Sequence, residues 1–190
     1  MVYLILGLVI FLGIHCLPMV PARHGAIKAR LGDGPYRGLY SVVAAAGLVL
    51  IVYGFGAARA AGPVQLYEPP FWLRHLTMLL MLPVFVFLVA AYFPGRIKAA
   101  LKHPMLAAVK IWALAHLLAN GDLASVLLFG GFLVWAVADR ISLKRRGPSA
   151  VPAVPGPAGR NDAIAVVGGL VLYGLFVWKL HGWLIGVPVV

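Results

Sequence analysis

The stretch His103–Asp122, HPMLAAVKIWALAHLLANGD, is apolar enough to lie in hydrocarbon, yet it contains two histidines, a lysine and an asparagine. From Pro104 to Ala119 it is just long enough to cross a locally thinned bilayer as a helix. Asn120, Gly121 and Asp122 then end that helix and cap the next apolar run, LASVLLFGGFLVWAVAD, at 123–139. The two runs read as a tight helical hairpin, with one broken re-entrant segment as the alternative.

The same character extends over the chain. Of its 190 residues 63% are apolar and only five are acidic, a composition outside that of soluble domains. Apolar runs at about 2–21, 38–58, 70–93, 104–119, 123–139 and 163–187 predict six spans. The expected fold is all-α: a polytopic membrane helical bundle of about six transmembrane helices, forming a single domain over 1–190. MVYLILGLVIFLGIHCLPMV has no basic residues before its apolar run, and positive charge follows at Arg23, Lys28 and Arg30, so it reads as an uncleaved first helix. Within the domain, 146–162 (RGPSAVPAVPGPAGRND) is too rich in Pro, Gly and Ala to build a core and reads as a flexible cytoplasmic connector.

The net charge of +11 would suggest nucleic acid in a soluble protein, but the basic residues cluster between apolar runs, where membrane topology places them. Twelve of the sixteen fall in alternate loops, at Arg23, Lys28, Arg30, Arg37, Arg96, Lys98, Lys102, Arg140, Lys144, Arg145, Arg146 and Arg160. The positive-inside rule puts these loops in the cytoplasm and both termini outside. The expected partner is membrane lipid, not nucleic acid.

No Asp or Glu lies in the middle of a predicted span, which argues against a proton pump or ion transporter. The histidines are the chemistry-bearing residues: His15, His75, His116 and His181 fall within spans, and His103 opens the fourth. Counted at about 1.5 Å per residue, His15 lies in the inner half of the membrane and His116 in the outer half, about 10 Å apart in depth, with His75 and His181 also in the outer half. A lone intramembrane histidine is often only a hydrogen-bonding bridge between helices, and interfacial solvation accounts further for His75, His103 and His181. Lys110 and Lys179 fit snorkelling side chains. Trp112, His116 and Asn120 share one helical face, whereas His103 points elsewhere, so a second ligand beside His116 must come from another helix. Zinc needs three or four protein ligands and gets no recognisable set here, and the single Cys16 cannot make a thiolate site alone. Haem needs only one or two axial ligands, an apolar slot and cations for its propionates.

The residues HP at 103–104, WALAHLLANGD at 112–122, GIH at 13–15 and GLYSVVAAAGL at 38–48 resemble the NnrU family of bacterial membrane proteins over nearly the whole chain. That resemblance implies a multi-pass protein of the bacterial inner membrane, associated with nitrite and nitric oxide reduction. NnrU proteins are also similar to the plastid 15-cis-zeta-carotene isomerase, whose haem b isomerises a carotenoid double bond. Carried over, the resemblance implies haem b held by His15 and His116, with His75 as the alternative to His15, and Lys110 and Arg74 as propionate partners. The implied ligand or substrate is nitric oxide or a hydrophobic polyene, and a haem-free assembly factor is the third reading. The isomerase carries a cysteine where this chain has Ala113, so its redox-dependent ligand exchange is not inherited.

Overall fold

A computed structural model describes residues 1–147 and 158–189. Helices account for almost all ordered backbone: α1 (Val2–Cys16), α2 (Pro21–Leu31), α3 (Asp33–Ala60), α4 (Leu73–Tyr92), α5 (Arg96–Leu101), α6 (Pro104–Ala119), α7 (Leu123–Arg145), α8 (Ala158–Leu175) and α9 (His181–Ile185). Among the described residues there is no strand, only an isolated bridge between Gln65 and Asp122. Five stretches are long and apolar enough to cross a membrane: Val2–Met19, Asp33–Ala60, Leu73–Tyr92, Leu123–Arg145 and Ala158–Ile185. The shorter Pro104–Ala119 is the sixth apolar helix. Their large apolar side chains stay outward, with Val2, Val42, Val134 and Trp183 each more than 60% exposed, as lipid rather than water requires. The protein is an all-α, multi-pass membrane protein.

The chain forms two compact units. The first comprises Met1–Pro69 and Asn120–Gly147. In it α1 and α3 pack at backbone contact. A Cβ on Gly47 would stand 2.7 Å from the Phe11 nitrogen, one on Gly7 2.6 Å from the Ile51 nitrogen, and one on Gly54 would overlap the Leu4 backbone. Lipid offers no hydrophobic force between helices, so close approach of small residues has to supply the attraction. Pro18 cannot donate back to Ile14, but the Ile14 carbonyl is not left open: Leu17 N–H takes it, and the chain tightens into a 3₁₀ turn, Leu17–Met19. Arg146 donates to the Pro18 carbonyl at 2.9 Å and lies 3.7 Å from Asp139, tying the end of α7 to that turn.

The basic segment after the first span is the helix α2, not a loop. Pro21 opens it and Gly32, at φ +80°, ends it. At the other end of the unit, Asp122 caps α7, accepting from Ser125 N at 3.0 Å and from its hydroxyl at 2.6 Å, as the sequence predicts. The segment 64–67 pairs with this turn. Leu66 N–H donates to Gly121 O at 2.8 Å and Leu123 N–H to Val64 O at 2.8 Å. The Tyr67 hydroxyl donates to Asn120 O at 2.9 Å. Partial burial, and then the nearby Asp122 carboxylate, push the Tyr67 phenol above the ordinary tyrosine range.

The second unit comprises Pro70–Ala119 and the described part of Pro148–Val190. Its organising element is α4, against which both α6 and α8 pack. Ala165 is fully buried, and a Cβ on Gly169 would stand 2.6 Å from the Val86 backbone. Ala165 and Gly169, four residues apart, are thus spent on an internal helix contact. Side-chain hydroxyls add bonds to neighbouring helices: Thr77 donates to Ala115 O at 2.8 Å and Tyr173 to Met78 O at 3.0 Å. Residues 158–162, read from the sequence as the end of the connector, are the first turn of α8. Asn161 donates to Pro94 O at 2.7 Å, and Asp162 accepts from Arg96 N and Ile97 N at 3.1 Å each. The proline-rich composition stops at Pro157, and these polar residues cap α5, whose own N-cap is Gly95. The rest of the proposed connector, 148–157, lies outside the described residues.

Candidate functional site

The second unit places His116 and His181 side by side. Their ring centroids are 6.4 Å apart and their planes differ by only 22°. His116 stands on α6 one turn after Trp112, whose ring lies 5.5 Å away and whose carbonyl meets His116 Nδ1 at 2.9 Å. His181 opens α9 directly after a π-helical turn, Phe176–Leu180, and its Nδ1 meets Val187 O at 2.6 Å. A carbonyl can only accept, so in both rings Nδ1 carries the proton and Nε2 is the nitrogen able to bind a metal. This is the arrangement of metal-ligating histidines, whose tautomer is fixed by a second hydrogen bond. Helices α6 and α8 both pack on α4, and α9 continues α8 through the π-turn, so α4 sets the spacing of the two helices from which the rings come.

Haem b can be tested against this pair. Two imidazoles bound through Nε2 to one iron, at about 2 Å each, put their ring centres roughly 6 Å apart. The observed centroid separation, 6.4 Å between stacked rings, is of that size. Among the described residues no group of three or more His, Cys, Asp or Glu could hold a metal ion.

His15 belongs to the first unit. Its Nδ1 also donates to a carbonyl, Phe11 O, at 2.6 Å, and its ring is walled by Phe11 at 4.2 Å, Tyr40 at 5.5 Å and Trp135 at 5.8 Å. His75, in the second unit, is exposed at the start of α4 against Phe71, 5.6 Å away. Arg74 beside it is exposed over the same Phe71 ring, and Lys110 is half-buried on α6. Ala113, where the carotenoid isomerase has cysteine, is completely buried.

From sequence, His181 matches the outer depth of His116, and its place near a span end gives it an interfacial explanation. No periodicity links positions 65 residues apart, and the π-turn that carries His181 has no sequence signature of its own.

No curated protein and no solved structure matches this chain. A family model described as NnrU protein matches residues 3–189. With that match covering nearly all of a polytopic helical chain, the protein belongs to the NnrU family.

Proposed function

We propose that this NnrU-family protein binds haem b within the membrane, where His116 and His181 would hold it. The observation that carries the reading is the His116–His181 pair: two nearly parallel imidazoles 6.4 Å apart, each with Nδ1–H donated to a carbonyl. The pair implied by the family resemblance, His15 with His116, shares His116 and takes its second histidine from the other unit. The proposed location is the bacterial inner membrane and the proposed setting is nitrogen-oxide metabolism, both following from the resemblance. A bound haem b would supply one-electron transfer and, in its ferrous state, affinity for nitric oxide.

The residues of the chain have separate tasks. Trp112 O and Val187 O orient the two rings by accepting Nδ1–H. Thr77 helps hold α6 on α4 through Ala115 O. Lys110 and Arg74 are the proposed partners of the propionates, at whatever depth those reach.

The test is spectroscopic. Protein purified in detergent from haem-supplied cells is expected to show the Soret and sharp α bands of low-spin, bis-histidine haem b. His116→Ala and His181→Ala should each lose the low-spin signature, whereas His15→Ala and His75→Ala should keep it. Loss in His15→Ala with retention in His181→Ala would instead establish the pair implied by the resemblance. Absence of any Soret band in the wild type would refute haem binding altogether.

A further inference from the structure

The end of the first unit where α1 gives way to α2 carries more positive charge than its own acids can balance. Arg23, Lys28 and Arg30 stand on α2 and Arg37 on α3, and four more basic residues lie at the end of α7, between Arg140 and Arg146. Arg146 and Ser142 donate to Pro18 O at 2.9 Å and Met19 O at 3.4 Å, which holds the end of α7 beside the joint between α1 and α2. Among the described residues of the unit only two acids share this end, and each already has a partner: Asp33 lies 3.1 Å from Lys28 and Asp139 3.7 Å from Arg146. The other basic residues have no acidic counterpart, and Arg23, Arg30, Arg37, Lys144 and Arg145 among them are exposed.

The packing of α1 on α3 fixes the depth of α2. The two helices meet with Leu4 against Gly54, Gly7 against Ile51 and Phe11 against Gly47, a register that sets Met19 level with Leu39. Residues 33–38 of α3 therefore reach about 9 Å past the end of the first span, at about 1.5 Å per residue. Helix α2, roughly 16 Å long, descends that distance between Pro21 and Leu31. It thus slants through a layer little thicker than the roughly 5–8 Å of headgroups on one side of a bilayer.

One face of α2 is taken by the bundle. The His24 ring lies 5.3 Å from that of Tyr36, and Lys28, one turn on, reaches Asp33. At about 100° per residue, Ile27 and Leu31 make the adjoining strip, and Arg23 and Arg30 flank it on the side away from Lys28. All four are exposed, as is Val20 just before the helix. Ala22 and Ala29 lie on the far side of the helix from Ile27.

Cations beside an apolar strip select the partner. Free phosphate and nucleic acid offer nothing to cover Ile27 and Leu31. A zwitterionic headgroup brings its own cation beside the phosphate and leaves the surplus charge unanswered. An anionic phospholipid presents a net negative phosphate at headgroup depth and an acyl chain just beneath it. We propose that this end of the first unit is a binding surface for anionic phospholipid. Arg23 and Arg30 bind the phosphates, Lys144 and Arg145 add to the attraction, and Ile27 and Leu31 lie against the acyl chains. The surface belongs to the first unit alone and does not depend on haem.

The probes are dioleoyl-phosphatidylglycerol and dioleoyl-phosphatidylcholine, titrated separately into the full-length protein in neutral detergent, with bound lipid counted by native mass spectrometry. One basic residue near an anionic surface is worth about fivefold in affinity. The wild type should therefore bind phosphatidylglycerol at least about tenfold more tightly than phosphatidylcholine. Arg23→Gln/Arg30→Gln should weaken phosphatidylglycerol binding by about tenfold or more, whereas Arg59→Gln/Lys179→Gln, which removes equal charge elsewhere, should not. Equal affinity of the wild type for the two lipids, or an equal loss in the two double variants, would overturn the proposal and leave these basic residues as determinants of membrane insertion alone. The lie of α2 has its own readout, in nitroxides attached to Ile27→Cys or Ala29→Cys in a Cys16→Ser background in phosphatidylglycerol nanodiscs. The label at 27 should collide mainly with oxygen dissolved in lipid, and the label at 29 with a water-soluble nickel complex. Equal exposure of both labels to the nickel complex would overturn the proposal as well.

Discussion

Replacing Gly169 by alanine tests both how the second unit is packed and how the histidine pair is spaced. The added Cβ would stand 2.6 Å from the Val86 Cα and nitrogen, against about 3.4 Å for ordinary contact, so α8 must retreat from α4 by roughly 0.8 Å. The obstacle is backbone, which cannot rotate aside. Overpacking of this kind costs about 1–3 kcal/mol, while exchanging glycine for alanine in a helix returns up to about 1 kcal/mol. Gly174, on the same helix, has nothing within 4 Å of its would-be Cβ, so Gly174→Ala carries the propensity gain without the collision. The difference between the two variants therefore isolates the packing cost. Gly169→Ala should melt roughly 3–9 °C below Gly174→Ala when both are followed by circular dichroism in the same detergent. His181 is carried by the continuation of α8, and a shift of about 0.8 Å exceeds the roughly 0.5 Å to which a binding constellation must be held. With haem held by His116 and His181 as proposed, Gly169→Ala should also bind less haem and lose low-spin character. Equal melting temperatures for the two variants would refute the close α4–α8 contact and, with it, α4 as the spacer of the site.

Asp122→Ala removes the α7 cap and the Ser125 hydroxyl bond together, and should lower stability by about 1–2 kcal/mol in thermal unfolding, with Asp122→Asn keeping much of it. Asp162→Ala strips acceptors from Arg96 N–H and Ile97 N–H; these amides should exchange with deuterium faster while the α1–α3 amides stay protected. The Tyr67 phenol, raised by burial and then by Asp122, should ionise above an ordinary tyrosine in the alkaline difference absorbance between wild type and Tyr67→Phe, and Asp122→Asn should bring it partway down. The raised folded value means that Tyr67 contributes stability fully below the unfolded tyrosine pKa, and that this is lost as pH climbs from there through the folded value; wild type and Tyr67→Phe should converge over that window.

Much of the architecture is legible in the sequence because the bilayer imposes a local rule. A span must satisfy its own backbone and present apolar side chains over a fixed thickness, so composition alone marks where helices run. The six apolar runs are the helices observed, and Asn120–Asp122 make the turn and cap that their chemistry demands. Family membership, too, is written in WALAHLLANGD and its companions. Tertiary structure alone decided the rest. Asn161 and Asp162 left the connector for the start of α5, because their side chains took partners distant in sequence. His116 could be singled out on its helix, and the need for a partner from another helix could be argued from spacing. That the neighbour is His181 depends on Gly169 letting α8 close on α4 and on a π-turn aiming the ring, and contacts between distant segments leave no periodicity to read.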